Sequence, residues 1–292
     1  MDAGGLSICI FQVKIMEKHI EVERSIIKKY RKEIWKRFIA GINEYKLIEP
    51  GDKIAVCISG GKDSMLLAKC IQHLQKISDF PFEAEYLVLD PGYSDENRAR
   101  ITENARILNV PVKIFDAKIF NYVADVEDNP CYLCARMRRG HLYKNAQSLG
   151  CNKIALGHHF DDAIETTLLN IFYGSQAGTM MPKLHSTNFP GMELIRPLYM
   201  VRERDIKAWV RYNDLTFLNC ACAFTKADEQ SEHETLSKRK EMKELISHYR
   251  KINPNVETSI FMSMHNVNLE TVIGYRKGDS KHNFLDEYDV QD

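Results

Sequence analysis

The chain predicts an α/β fold: a parallel sheet with helices between its strands, N-terminal helices ahead of it and a helical C-terminal extension. Three observations carry that prediction. The apolar run Lys53 to Ile58 is followed by Ser59-Gly60-Gly61-Lys62-Asp63-Ser64 and then by the apolar Met65 to Ile71, the order strand, tight turn, helix. Glu85 to Asp90 and Val112 to Phe115 are short apolar runs on either side of a helical stretch. Cys151 to Leu156 runs straight into Gly157-His158-His159-Phe160-Asp161-Asp162 and another helix. Such alternation argues for right-handed crossovers in one parallel sheet. The expected divisions are 1–48, a helical segment; 49–227, the sheet domain; and 228–292, helices and a tail.

In chain order, Glu21 to Asn43 has apolar residues at helical spacing, among them Val22, Ile26, Ile34, Trp35 and Phe38, with Lys and Arg between them. One long or broken amphipathic helix fits, its basic side a solvated face or a nucleic-acid contact. Pro50-Gly51-Asp52 punctuates the chain before the first strand. Pro91-Gly92 ends the second, and Ser94 caps a helix to about Asn109. After Cys131-Tyr-Leu-Cys134, residues 135–149 read as a helix carrying Arg136, Arg138, Arg139, His141 and Lys144. Gly174 to Lys183 reads as a loop, Leu184 to Asn188 and Leu194 to Arg196 as strand pieces, and Glu203 to Tyr212 as a helix. A charged helix from Asp228 to about Arg250 and a shorter one after Pro254 follow, and the polar residues from about Gly278 are expected to be disordered.

At 292 residues the chain can bury a substantial core without staples. Its 40 basic and 40 acidic residues balance, so any attraction for a polyanion must come from local clustering. Eight cysteines are too dilute for a disulfide scaffold. Cys9, Cys57, Cys70 and Cys151 stand singly in apolar contexts as buried thiols, whereas Cys131 with Cys134 and Cys220 with Cys222 form close pairs that suggest metal in a reducing compartment. No apolar run approaches membrane-spanning length, and the expectation is a cytoplasmic protein without a membrane partner.

The run from Ser59 to Ser64 has the chemistry of a phosphate cradle. Two glycines permit a sharp turn that exposes backbone N–H groups, and the following helix aims its positive end at the same place. Lys62 adds a point charge, and Ser59 and Ser64 add hydroxyls. The run is not a Walker A loop, which needs Ser or Thr after the lysine, where Asp63 stands. A carboxylate there suggests magnesium shared with the phosphates. Asp161 and Asp162 begin a helix after a strand, where they could hold magnesium, position an acceptor or simply cap the helix. Both motifs lie at carboxyl ends of strands, where ligands of open α/β sheets sit.

SGGKDS resembles the pyrophosphate loop of the ATP pyrophosphatases. With CYLCARMRRGHLY at Cys131 to Tyr143, GHHFDD at Gly157 to Asp162, NIFYG at Asn170 to Gly174 and IRPL at Ile195 to Leu198, the chain resembles one branch of them, the tRNA 2-thiocytidine synthetase family. The resemblance implies an adenine nucleotide alpha hydrolase-like domain, with Ser59, Gly60, Gly61, Lys62, Asp63, Ser64, Gly157 and Asp162 around ATP and Mg2+. It implies Asp63, Arg138 and Asp161 as catalytic groups, Arg138 standing four positions after the second cysteine. It further implies a [4Fe-4S] cluster on Cys131, Cys134 and a downstream third ligand. The family takes that ligand from a Cys-x-x-Cys, whereas this chain has Cys220-Ala-Cys222; Cys222 is the expected ligand and Cys220 its rival. The implied partners are tRNA, a sulfur donor (a cysteine desulfurase or sulfide) and a second copy of the chain in a homodimer. Two other readings stand: an ATP-dependent ligase acting on a small carboxylate, and an ATP-binding interaction protein held by zinc on the four paired cysteines.

Overall fold

A computed structural model of the chain describes 17–123, 126, 130–218, 234–286 and 288, with backbone only for 130–132 and 234–237. The described residues fall into two compact units, one within Met1–Ala163 and Met180–Leu236, the other within Ile164–Thr179 and Ser237–Asp292.

The first unit is built on a six-stranded sheet: β1 (Lys53–Ile58), β2 (Glu83–Asp90), β3 (Val112–Asp116), β4 (Lys153–Ala155), β5 (Lys183–His185) and β6 (Glu193–Ile195). The order is β3-β2-β1-β4-β6-β5, all pairs parallel except β5 with β6. A parallel strand buried on both faces has no polar face to show, and β1 is buried throughout except at Lys53. Ile54, Val56 and Ile58 point into one apolar cluster, Ala55 and Cys57 into another. Burial of each large aliphatic side chain stabilises the fold by about 1.5–3 kcal/mol.

Helices cover both faces. The first cluster takes side chains from α1 (17–27), a π-helical turn (Arg31–Trp35), α2 (Lys36–Glu44), α3 (Lys62–Ile77), α4 (Asp95–Ile107) and, through Ile206 and Trp209, α8 (Glu203–Tyr212). The second takes Tyr143 and Ala146 of α6 (Pro130–Ser148). Short α5 (Ile119–Val123) and Cys134 pack with Leu89 at the end of β2. Ser94 accepts from the Asn97 N–H and caps α4, as its sequence position predicts.

Below the sheet, Lys153 Nζ is almost wholly buried among Asp52 (2.7 Å), Glu49 (3.2 Å) and Glu193 (3.3 Å), a clamp on the N-terminal ends of β1, β4 and β6. Behind α3, Lys69 Nζ meets Gln72 (2.7 Å), the Leu108 carbonyl (3.0 Å) and Glu23 (3.7 Å), while Glu23 also holds His73 and Lys76. Burial lowers the Lys69 pKa to about 8 against the pull of Glu23.

Within the second unit, α7 (Phe160–Gly174) contributes its residues from Ile164 onward, α9 spans Glu234–Ile252 and α10 Val256–Ser263. Glu165 is buried, 3.6 Å from both Arg239 and Lys243, and Arg250 pairs with Glu257.

The structure departs from the sequence expectations at the start of α6 and in the stretch around Gly278. The α6 helix begins at Pro130, not Ala135, because proline is well suited to a first helical position. Cys131 and Cys134 therefore lie within its first turns. The basic N-terminal helix takes the broken form of the two expected, interrupted by a π-helical turn where Tyr30 N–H reaches back to Ser25. The stretch beyond Gly278 was expected to be disordered, yet β7 (Gly274–Lys277) and β8 (Ser280–Asn283) form a hairpin with Tyr275 stacked on His282 at 4.6 Å. Among the described residues no helix is long and apolar enough to cross a membrane.

Candidate nucleotide site and cysteine helix

Chain order along the sheet reverses between β1 and β4, and the crevice outside their carboxyl ends is where ligands bind in such sheets. Ser59–Ser64 leaves β1 there, and Gly157–Asp162 follows β4. Gly60 turns with φ +84, and a Cβ on it would stand 2.6 Å from Ile101 Cγ1. Gly61 precedes α3 with extended backbone. Ser64 Oγ donates to the Gly61 carbonyl (3.0 Å) and accepts from the Ser59 N–H (3.2 Å). Ser59 Oγ lies 3.3 Å from Ser64 Oγ. The hydroxyls thus shape the loop from within. Of the two, Ser64 is buried and only Ser59 stands at the surface.

The two motifs meet through their backbones. A Cβ on Gly157 would lie 2.9 Å from Ser64 N and 3.0 Å from Asp63 C, so only glycine lets the second loop rest on the first. His159 and Asp162 cap α7 reciprocally: the His159 N–H donates to Asp162 Oδ2 (2.9 Å) and the Asp162 N–H to His159 Nδ1 (3.3 Å). His159 Nδ1 also lies 3.2 Å from Asp162 Oδ2, and its Nε2 faces Asp63 Oδ1 at 3.9 Å. This Oδ1 is buried and accepts no hydrogen bond among the described residues. A carboxylate oxygen desolvated beside a phosphate-type loop suits a magnesium ion.

Lys62 Nζ sits 3.0 Å from Asp63 Oδ2 and 3.3 Å from Glu203 Oε1. Burial works against its charge, but the two carboxylates outweigh it and hold its pKa above the ordinary lysine value. Asp161 serves the same junction from the other side. Its Oδ2 accepts the Glu203 N–H at 2.7 Å at the start of α8, and Arg202 lies 3.4 Å away with its guanidinium over the Phe160 ring at 4.6 Å. Asp161 thus caps α8, and Asp162 its own helix.

Arg138 Nη2 reaches Tyr93 Oη at 3.3 Å on the loop beyond β2. Asp90, at the end of that strand, accepts from the N–H groups of Gly92 and Tyr93 and from Arg98, which also bridges to Asp116. Cys134 is buried beside Leu89, Ile119, Phe120 and Val123. Cys131 precedes it by three positions in the same helix. Cys220 and Cys222 lie outside the described residues, and no set of three metal-ligating side chains gathers among the described ones. The remaining thiols are inert by burial: the pKa of Cys57 is pushed up to about 12 and that of Cys151 to about 11, and Cys70 is raised as well. Cys9 lies outside the described residues.

Glu203, Arg202 and Arg196 were not singled out as site residues by their sequence pattern. Arg196, inside the IRPL run, is buried, donates from Nη1 to the Met181 carbonyl, and has no partner for Nε among the described residues. Burial lowers its pKa to about 10.

The family model for the PP-loop domain matches residues 28–224. A tRNA-cytidine(32) 2-sulfurtransferase of Neisseria meningitidis is 37% identical over 232 residues, 77% of this chain and 69% of that protein. One from Vibrio parahaemolyticus is 33% identical over 257 residues, 86% of this chain and 82% of that protein. Among solved structures, the U34-tRNA thiolase NcsA from Methanococcus maripaludis, with its [4Fe-4S] cluster, superposes with a TM-score of 0.62 at 21% identity, over 83% of this chain and 80% of that one, a likeness of fold. On the loop at Ser59–Ser64, its meeting with Gly157 and the extent of these matches, the chain belongs to the PP-loop family and, within it, to the tRNA-cytidine(32) 2-sulfurtransferases.

Proposed function

We propose that the chain is an ATP-dependent tRNA sulfurtransferase that adenylates the carbonyl oxygen of a cytidine-type base and replaces that oxygen with sulfur. The observation that carries the reading is the seat of Gly157 on Asp63 and Ser64, which fuses a phosphate loop and a second acidic loop into one site at the switch point.

ATP lies with its phosphates on the N–H groups at Gly60 to Lys62, drawn by the loop and the N-terminal end of α3. Asp63 would hold magnesium through its buried oxygen, and Asp162 would assist from the α7 start. The base oxygen attacks the α phosphorus; an O–P bond forms, the α–β bridge breaks, and pyrophosphate leaves with its charge offset by Lys62. Sulfide-level sulfur then attacks the ring carbon that bears the adenylated oxygen; a C–S bond forms, the C–O bond breaks, and AMP departs with the former base oxygen. Arg138, which reaches Tyr93, would bridge phosphate and base, and Asp161 would act by fixing α8 and so Glu203 beside Lys62.

Cys131, Cys134 and Cys222 would hold the [4Fe-4S] cluster, with Cys220 as the rival third ligand; the apolar surroundings of Cys134 and the donor chemistry fit a thiolate-bound group. When bound, the cluster would carry sulfur from the donor to the base. Arg136, Arg138, Arg139 and Lys144 on α6 have no ion pair among the described residues, which suits a helix that meets RNA phosphates. A cysteine desulfurase or sulfide as donor, a homodimer and a cytoplasmic setting complete the proposal.

The test is nucleoside mass spectrometry of tRNA incubated with anaerobically prepared protein, ATP, Mg2+ and sulfide. A thiolated cytidine that needs ATP is expected, together with bound iron and labile sulfide. Colourless, zinc-loaded protein that releases pyrophosphate with a small carboxylate and leaves tRNA unmodified overturns the proposal.

A further inference from the structure

The stretch from Arg24 to Arg37 holds seven lysines and arginines against one acid, Glu33, in a chain whose basic and acidic residues balance at 40 each. Arg24, Lys28, Lys29, Arg31, Lys32 and Lys36 are all exposed. Among the described residues none of them has a carboxylate within 4.0 Å. The contrast with α3 just behind is sharp, since Lys69, His73 and Lys76 there all share Glu23.

Positions 24, 28, 32 and 36 recur every four residues from α1 through the π-helical turn to the start of α2, and all four are exposed. Like charges at that spacing repel and weaken a helix. A polyanion lying along the row relieves that repulsion and gains from counterion release. The opposite side offers nothing to a lipid surface: Val22, Ile26, Ile34, Trp35 and Phe38 are buried in the core, so the apolar face that interfacial helices need is already used.

The row is also rigidly mounted. Glu23 ties α1 to α3, and Tyr30 Oη donates to the Ala208 carbonyl of α8 at 2.9 Å. Lys29 stands over the Tyr212 ring at 4.4 Å. These are the two helices whose first residues, Lys62 and Glu203, pair at the nucleotide site. A rigid charged row fixed to them would set the position of a bound backbone relative to the reacting atoms.

Resting on the reading of the chain as a tRNA-modifying enzyme, we propose that this row is a docking surface for the phosphate backbone of the RNA substrate, separate from the α6 face. Contacts of this type position a nucleic acid without reading its sequence.

The test compares the full-length protein with the triple variant Lys28→Glu, Lys32→Glu, Lys36→Glu in equilibrium binding of unmodified tRNA at several salt concentrations. Expected are a Kd raised by about tenfold or more and a log K versus log salt slope shallower by about 2, with ATP affinity and thermal midpoint unchanged. The triple Lys→Gln variant shifts both the same way by less, and decides the matter if the glutamate variant fails to fold. A Kd and slope equal to wild type, with tRNA thiolation intact, overturn the docking surface alone. Wild-type protein that binds no tRNA overturns both this inference and the functional reading. Binding to phosphatidylserine vesicles that the variant loses, while its tRNA affinity stays the same, overturns the RNA assignment in favour of a membrane.

Discussion

Gly157 and Gly60 do different things with the same missing methyl. At Gly60 the backbone itself, φ +84, disfavours any L side chain, and Ile101 fills the space a Cβ would need. At Gly157 the backbone is ordinary and the obstacle is another backbone, that of Asp63 and Ser64. Gly60→Ala should cost about 1–3 kcal/mol in chemical denaturation. Gly157→Ala should instead separate the motifs: kcat/KM for ATP-dependent thiolation falls about a hundredfold, the size of effect a misplacement of about 1 Å produces, while the denaturation midpoint moves less than for Gly60→Ala. Equal stability losses with preserved catalysis would show that the contact does not position the site. Asp161 belongs to this scale too. Replacing it with Ala removes the cap from α8, at about 0.5–2 kcal/mol, and frees Glu203 beside Lys62. Asp161→Asn, which keeps an acceptor for the Glu203 N–H, should recover most of the stability.

At the level of elements, α3 carries the phosphate loop at one end and a buried lysine in its middle. Because the folded Lys69 pKa of about 8 lies below the ordinary lysine value of 10.5, the unfolded chain binds more protons between those values. The Lys69 contribution therefore makes the fold more stable as pH rises from about 8 to about 10.5, and its full cost is present below that window. Chemical denaturation across this range should show that rise in wild type and lose it in Lys69→Met. A flat difference between the two would place the titration elsewhere. Much at this level was legible in the sequence: the central parallel strands, the Ser94 cap and the helix Glu203–Tyr212 all follow from apolar period and cap residues. Periodicity could not reveal that the hydroxyl of Ser64 turns inward onto the Gly61 carbonyl, a matter of loop geometry, or that Asp161 serves a helix that begins 42 residues later, a contact between distant segments. The sequence reading starts α6 at residue 135, whereas it opens at Pro130, a residue suited to a first helical position.

For the whole molecule, net charge near zero hides an uneven distribution: among the described residues Lys53, Lys113 and Lys153 of the sheet are ion-paired, whereas the Arg and Lys side chains of α6 and of 24–36 are not. Activity should therefore fall steeply with salt through KM for tRNA while KM for ATP, whose site is partly shielded, changes little. A parallel decline in both would assign the salt effect to the nucleotide loop. Cys134→Ser should reduce bound iron and labile sulfide and abolish thiolation while leaving ATP binding intact, since the cysteine helix and the phosphate loop are separate pieces of the chain.

The contact of Gly157 with Asp63 and Ser64 has a consequence for how such a site can be altered. Two loops nearly a hundred residues apart share one van der Waals surface made of main chain, so no change of side chain can absorb a shift between them. Neither loop can be exchanged for that of a distant relative on its own, and a chimera should work only when both are transplanted as one rigid graft.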